Sequence, residues 1–149
     1  MLNPDYRDML SALSAAEVEY LVVGAFALAA HGLPRATGDI DFWVRPTPEN
    51  ADRVFTALTE FGASLQGLTR DDMARAGTVF QIGVVPRRID FLTAIDGVEF
   101  DEAWENRETR DVDGVAVPVL SREHLIANKR ATGRPKDQLD VEWLEGGGE

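Results

Sequence analysis

The stretch GDIDFWV, residues Gly38–Val44, decides the fold, because it places two charged side chains within an apolar segment. Side chains alternate between the two faces of a β-strand. As a strand, the segment directs its aliphatic and phenyl side chains to one face, namely Ile40, Phe42 and Val44. Asp39 and Asp41 share the other face with Trp43 and lie about 7 Å apart at Cα. We infer that one face packs into a core and the other forms a site.

The two aspartates predict a cation site. Like charges this close repel each other, and a divalent cation removes that penalty. The segment RRIDFLT, residues Arg87–Thr93, repeats the pattern and would add Asp90 as a third carboxylate if the two strands are neighbours. Oxygen ligands with open positions for a nucleotide favour Mg²⁺, with two ions expected. The alternatives are that the pair only caps an edge strand, or that Asp90 only pairs with Arg88.

Upstream, VVGAFALAAHG at residues Val22–Gly32 predicts a strand that ends at Gly24 and a helix that begins at once. Free N–H groups and the helix dipole at such a start favour an anion, and a glycine lets a phosphate approach the backbone. We expect Gly24 and Ala25 to form a phosphate loop. In the loop before the aspartates, Arg35 and Thr37 either contact phosphates or shape the turn.

The composition limits the class of protein, the kinds of metal site and the partners that we expect. The 149 residues, 44% hydrophobic and 28% charged, indicate one globular domain over residues 1–145 with a flexible tail at 146–149. The absence of cysteine excludes thiolate metal sites. The longest apolar run is too short for a bilayer and no secretion signal is recognisable, so we expect a cytoplasmic protein without membrane contact. A net charge of −11 disfavours long nucleic acids as partners.

The remaining patterns predict an α+β fold, with a small mixed β-sheet, helices packed on one face and a C-terminal helical segment. Asp113-Gly114 between two strand-like runs predicts a hairpin. The only two lysines, Lys129 and Lys136, flank a break at Gly133 and Pro135 in the C-terminal helices. This bent basic segment either clamps a triphosphate or forms salt bridges with nearby acidic residues at the surface.

Taken together, these blocks resemble the nucleotidyltransferase superfamily of polymerase β. The string VVGAFALAAHGLPRATGDIDFWV also looks like the small bacterial nucleotidyltransferases related to AbiEii-type toxins, as do GVVPRRIDFLTAIDGVEFDEAW and LIANKRATGRPKDQLDVEWL. The resemblance covers about residues 18–144. One departure is Ala25, where that pattern usually has a second Gly or a Ser.

The resemblance implies a nucleotidyltransferase-like fold and Mg²⁺-dependent transfer of a nucleotidyl group from an NTP to an acceptor hydroxyl. It assigns Asp39 and Asp41 to metal binding and Asp90 to proton removal from the acceptor. Phosphate contacts are expected from Gly24, Ala25, Arg35, Thr37, Arg88, Lys129 and Lys136. The acceptor stays open between a protein, an RNA end and a small molecule, and a partner protein encoded nearby is expected by resemblance. Two alternatives are a catalytically weak nucleotide- or partner-binding module and a metal-dependent phosphodiesterase.

Overall fold

The computed structural model describes residues 2–33, 39–65, 67–83 and 87–146. Within these ranges a six-stranded mixed sheet has the order β3-β4-β2-β1-β6-β5. The strands are β1 (Tyr20–Val23), β2 (Ile40–Val44), β3 (Val79–Ile82), β4 (Ile89–Leu92), β5 (Glu108–Val112) and β6 (Val115–Val119). The helices are α1 (Pro4–Ala15), α2 (Gly24–Ala30), α3 (Pro48–Phe61), α4 (Arg70–Met73), α5 (Phe100–Glu105), α6 (Arg122–Thr132) and α7 (Pro135–Glu145). The predicted α+β class is confirmed.

Strand pairing brings the two aspartate segments together at the centre of the sheet. β2 is antiparallel to β1 and parallel to β4, so it has a hydrogen-bonded neighbouring strand on each side. β6 joins β1 in parallel, and β5 returns antiparallel to β6. The β5–β6 turn has positive φ at both Asp113 and Gly114, which matches the predicted hairpin.

Local signals that the sequence contains set most helix ends. Asn3 caps α1 by accepting a hydrogen bond from the backbone N–H of Tyr6, and Thr47 caps α3 in the same way. Gly62 and Gly133 end α3 and α6 in the left-handed conformation, and Gly133 forms the break that the sequence indicated between the C-terminal helices. The first strand begins at Tyr20, after the turn that follows α1, in which Glu17 adopts a positive φ.

The face of β2 that carries Asp41 and Trp43 is exposed over a shorter length than the sequence pattern predicted. Trp43, on the face of Asp41, is only 2% exposed and meets Phe100 edge to face, with ring centroids 4.9 Å apart. Phe100 begins α5, a six-residue helix that the sequence patterns did not predict. Trp43 is therefore a core aromatic in this structure, and the polar part of the face is limited to the end of the strand that carries the aspartates.

A buried asparagine of α3 binds the opposite end of the sheet, where β1 begins and β2 ends. The side-chain oxygen of Asn50 accepts from the backbone N–H of Glu19 at 2.8 Å, and its amide donates to the carbonyls of Glu19 and Arg45. Asn50 is 1% exposed, so these bonds satisfy a polar group that would otherwise be costly to bury. None of the helices in the described ranges is long and apolar enough to span a membrane.

Candidate active site

Asp41 and Asp90 are register partners on the parallel strands β2 and β4, as the sequence pattern required. On the other side of β2, Asp41 pairs with Val23, the last residue of β1. Asp39 lies just before β2, and one of its carboxylate oxygens accepts from the backbone N–H of Arg88 at 3.3 Å. The end of β1, the start of β2 and the start of β4 therefore meet at one place on the sheet. The two β2 and β4 segments carry the carboxylates, and β1 leads into the start of α2.

Gly24 lies beside the carboxylate of Asp41, because the chain turns there from β1 into α2. Its φ is +72°, which side-chain-bearing residues rarely adopt, and a Cβ at this position would lie 2.3 Å from Oδ2 of Asp41. A glycine is therefore required both by the backbone conformation and by the carboxylate beside it. The start of α2 has no side-chain cap, and half-buried Ala25 is its second residue.

The carboxyl group of Asp41 is held in an environment that disfavours its charge. Burial is the largest cause, followed by the charge of Asp90, a hydrogen bond with Asp90 and the charge of Asp39. Arg88 opposes the effect but does not cancel it, and the pKa of Asp41 is raised to about 7. The carboxyl group of Asp41 therefore keeps its proton up to near neutral pH and forms a hydrogen bond with Asp90.

Arg88 is the cation that balances the carboxylates in this structure. Its Nε donates to Oδ1 of Asp90 at 2.8 Å and one Nη donates to Oδ2 at 3.2 Å, which is a bidentate pair. The same Nη atom is 3.4 Å from Oδ2 of Asp39. The pairing of Asp90 with Arg88, one of the sequence alternatives, is thus present. It does not exclude a role in catalysis, since Arg88 is 30% exposed and joins two of the three aspartates.

Tyr6 of α1 also reaches the site, which the sequence did not indicate. Its hydroxyl donates to the backbone carbonyl of Arg88 at 3.3 Å. The pKa of Tyr6 is raised, first by burial and then by the charge of Asp39, with smaller effects from Asp41 and Asp90. Tyr6 therefore holds the start of β4 against α1 within the electrostatic range of all three carboxylates.

The donor set fits a divalent cation, although the side chains are not gathered around one. In the described ranges no three acidic or histidine side chains stand close enough together to hold a metal ion. The reason is visible at Arg88, whose guanidinium lies between Asp39 and Asp90. A carboxyl group that keeps its proton beside two further aspartates forms the kind of oxygen-rich site in which a cation can replace the proton.

The other predicted phosphate contacts are spread over the chain. Arg35 and Thr37 lie outside the described residues, and so do the last three residues of the predicted flexible tail. Lys136 is exposed on the first turn of α7. The nucleotide-binding assignments of all these residues, and of Gly24, Ala25, Arg88 and Lys129, stay predictions.

Lys129 lies in a buried ion-pair network between α6 and α7. Its Nζ is 3.3 Å from Asp137 and 3.4 Å from Asp140, and all three residues are less than 10% exposed. Burial works against ionisation of Asp137, but hydrogen bonds from Arg134 and Thr132 and the charge of Lys129 hold its pKa well below the ordinary value. Salt bridges were the alternative considered from sequence, but they are buried here and not at the surface.

The fold and the paired aspartates define a chain of the nucleotidyltransferase type, and the comparisons with known proteins agree. Residues 3–146 match the family described as nucleotidyl transferase of unknown function (DUF2204), and the chain belongs to that family. The comparison with curated proteins gives no significant match. The specific relation to AbiEii-type toxins has no support among these findings.

Two solved structures share the fold. TM1012 from Thermotoga maritima, assigned as a nucleotidyltransferase, is 19% identical with a TM-score of 0.64, over 98% of this chain and 96% of that one. The lincosamide antibiotic adenylyltransferase LnuA, solved with lincomycin bound, is 12% identical with a TM-score of 0.59, over 95% and 94% of the two chains. At these identities the likeness shows the fold alone.

Proposed function

We propose that this protein is a Mg²⁺- and NTP-dependent nucleotidyltransferase that moves an NMP group onto an acceptor hydroxyl. The observation that supports this most strongly is the meeting of Gly24, Asp41 and Asp90 at one point. The end of β1, the start of β2 and the start of β4 reach it from three separate parts of the sequence.

In the proposed reaction, the acceptor oxygen attacks the α-phosphorus of the NTP in line with the bond to the leaving group. The new oxygen–phosphorus bond forms, the bond to the β-phosphate oxygen breaks, and pyrophosphate leaves. Asp90 takes the proton of the acceptor hydroxyl. Asp39 and Asp41 bind Mg²⁺, two ions being expected, which supplies charge neutralisation for the phosphates.

Arg88 and the start of α2 are proposed to hold the phosphates. The N–H groups at an uncapped helix start point toward an anion, and Gly24 leaves the backbone accessible on that side. Arg88 is exposed enough to move from the carboxylates to a phosphate when the carboxylates are neutralised by cations. We assign Ala25, Arg35, Thr37, Lys129 and Lys136 to further phosphate contacts on the resemblance alone.

The acceptor is proposed to be a hydroxyl compound of unknown size. LnuA is an adenylyltransferase that was solved with lincomycin bound, which makes a small molecule one candidate. A protein side chain or an RNA end is the other, and would suit a toxin–antitoxin role with a partner protein encoded nearby. That role rests on the sequence resemblance to AbiEii-type toxins.

The test is transfer of label from each of the four α-³²P-labelled NTPs in a lysate of the source cells, with Mg²⁺ and with EDTA. The proposal expects one NTP to label an acceptor, and only with Mg²⁺. Binding of an NTP without labelling would favour the catalytically weak binding module. Cleavage of a phosphodiester without any labelling would favour the phosphodiesterase.

A further inference from the structure

Gln81 extends the row of carboxylates by one strand. Asp41 on β2 is the register partner of Asp90 on β4, and Gln81 on β3 is the register partner of Asp90 on its other side. Register partners on neighbouring strands point to the same face of a sheet and lie about 5 Å apart at Cα. Gly24 lies beside Asp41 at the other end of the row. Gly24 and Gln81 therefore stand at opposite ends of one row, with the two carboxylates between them.

The side-chain amide of Gln81 can bind a ligand. The side chain is exposed and forms no hydrogen bond with the residues that the structure describes. β3 is an edge strand of the described sheet, so no described strand lies beyond Gln81. An amide can donate and accept hydrogen bonds at the same time. A ligand that approaches Asp90 from the β3 edge therefore comes within reach of Gln81.

The surface beside Gln81 is uncharged and partly apolar. No residue from Val79 to Gly83 is charged, although 28% of the chain is. Val79 lies on the same face as Gln81 and is 59% exposed, and Leu92, its register partner on β4, is half-buried. We call Gln81, Val79 and Leu92 the neutral strip. The neutral strip offers one amide and two aliphatic side chains next to Asp90.

We propose that Gln81 binds the acceptor of the nucleotidyl transfer, and that this acceptor is a small uncharged hydroxyl compound with an apolar part. The role rests on the proposed function, which places the phosphates at Gly24 and leaves the other side of Asp90 for the hydroxyl. The amide of Gln81 forms a hydrogen bond with a polar group next to the reacting hydroxyl. Val79 and Leu92 contact the apolar part of the compound and remove it from water.

The charge and the size of the neutral strip favour a small molecule over a macromolecule. An RNA end brings several phosphates, whose binding depends on lysine and arginine contacts. The nearest arginines along the chain are Arg75 and Arg88, which pair with aspartates, and the exposed Arg87. A protein interface takes about 20–30 residues on each side, whereas the strip has three. The strip therefore fits a small molecule better than either macromolecule.

The first experiment identifies the class of acceptor. A lysate of the source cells is separated into a low-molecular-weight filtrate, protein and RNA, and each fraction is incubated with the α-³²P-labelled NTPs and Mg²⁺. The proposal expects the wild type to label compounds of the filtrate. Label that appears only in RNA or only in protein overturns the proposed acceptor but not the proposed function. Absence of label in all three fractions overturns the proposed function itself, and the role of Gln81 with it.

Variants then test the role of Gln81 with the filtrate as the source of acceptor. The filtrate is diluted in steps at fixed NTP, and NTP is varied separately. Gln81→Ala should raise the apparent KM for the acceptor about three- to tenfold, the loss expected for one hydrogen bond, and should leave the KM for NTP unchanged. The matched control is Gln138→Ala, which changes an exposed glutamine of α7. An unchanged acceptor KM in Gln81→Ala, or an equal rise in Gln138→Ala, overturns the role.

Val79→Ser tests the apolar contact in the same assay. It should raise the acceptor KM at least about threefold, because a polar side chain replaces the aliphatic one. The matched control is Leu139→Ser, which changes the other exposed large hydrophobic side chain of the described residues. All four variants change exposed side chains, and circular dichroism checks that they stay folded. An acceptor KM that is unchanged in Val79→Ser, or that rises equally in Leu139→Ser, overturns the apolar part of the proposed acceptor.

Discussion

Oδ2 of Asp41 lies 2.3 Å from the position that a Cβ on Gly24 would occupy. At this point the end of β1, the first turn of α2 and the start of β2 lie side by side. The carboxylate occupies the space that a side chain at position 24 would need. The pair is therefore the best place to test whether the geometry of the site is correct.

Gly24→Ala should lower the free energy of unfolding by about 2–5 kcal/mol. About 1–2 kcal/mol comes from the left-handed backbone, and the rest from the contact with Asp41, since overpacking costs about 1–3 kcal/mol. The control is Gly62→Ala, where φ is +89° but no atom lies within 4 Å of the new Cβ, so only the backbone cost applies. Urea unfolding measures both. Equal losses, or no recovery when Asp41→Ala is added to Gly24→Ala, would contradict the close contact.

The metal-free protein should become less stable as the pH rises from about 4 to about 7. The pKa of Asp41 is raised to about 7 in the folded state, from 3.8 when unperturbed, so in this window the folded chain keeps a proton that the unfolded chain has lost. The stabilisation is complete below pH 4 and is lost by pH 7, and it amounts to about 4 kcal/mol at most.

Urea unfolding of wild type and Asp41→Asn in EDTA, at intervals between about pH 4.5 and about pH 7.5, measures this contribution. Asparagine has no proton to lose, so the variant should show a flatter pH dependence and should be the more stable protein above about pH 7. Parallel curves for the two proteins would mean that Asp41 does not titrate in this range.

Arg88→Gln should increase the stabilisation that Mg²⁺ alone gives to the protein. The guanidinium lies between Asp39 and Asp90 and competes with a cation for the same oxygens. Without it, the three carboxylates repel each other more and gain more from a cation. The rise in Tm with added Mg²⁺ measures this, with Arg87→Gln as the exposed neighbour that should behave as wild type. A smaller Mg²⁺ effect in Arg88→Gln would show that the arginine does not compete.

Lys129→Met should lower the stability by as much as about 3–5 kcal/mol, because it removes the buried cation beside Asp137 and Asp140, although Arg134 still pairs with Asp137. The control Lys136→Met removes an exposed lysine and should cost less than about 1 kcal/mol. Both are measured by urea unfolding. If Lys129 also contacts a phosphate, NTP binding at a temperature where the variant is folded should weaken more than NMP binding. Similar stabilities for the two variants would contradict the buried network.

The sequence predicted the features that depend on neighbouring residues. Alternation in GDIDFWV and RRIDFLT gave the faces of β2 and β4, and the placement of Asp41 opposite Asp90 followed once the strands were paired. Capping residues and glycines gave most helix ends, because those signals act within one turn. The position of Gly24 at the end of β1 was predicted for the same reason.

The features that were missed depend on contacts between distant parts of the chain. Tyr6 reaches Arg88 across 82 positions, and no local pattern marks either as a partner of the other. Helix α5 has six residues and no capping side chain, so its stability comes from Phe100 packing on Trp43 and not from its own sequence. The ion pairs of Lys129 require the return of α7 onto α6, which the charge pattern alone could not distinguish from a surface arrangement.

Asp39, Asp41 and Asp90 are proposed to carry a nucleotidyl transfer. The most direct measurement is label transfer from the active α-³²P-labelled NTP by wild type, by the Asn variant of each of these residues, and by Asp111→Asn, which changes an exposed aspartate on β5. We predict transfer by wild type and Asp111→Asn, and a loss of at least about a hundredfold in the three site variants although they stay folded. Transfer that persists in Asp41→Asn, or that is lost equally in Asp111→Asn, would contradict this assignment.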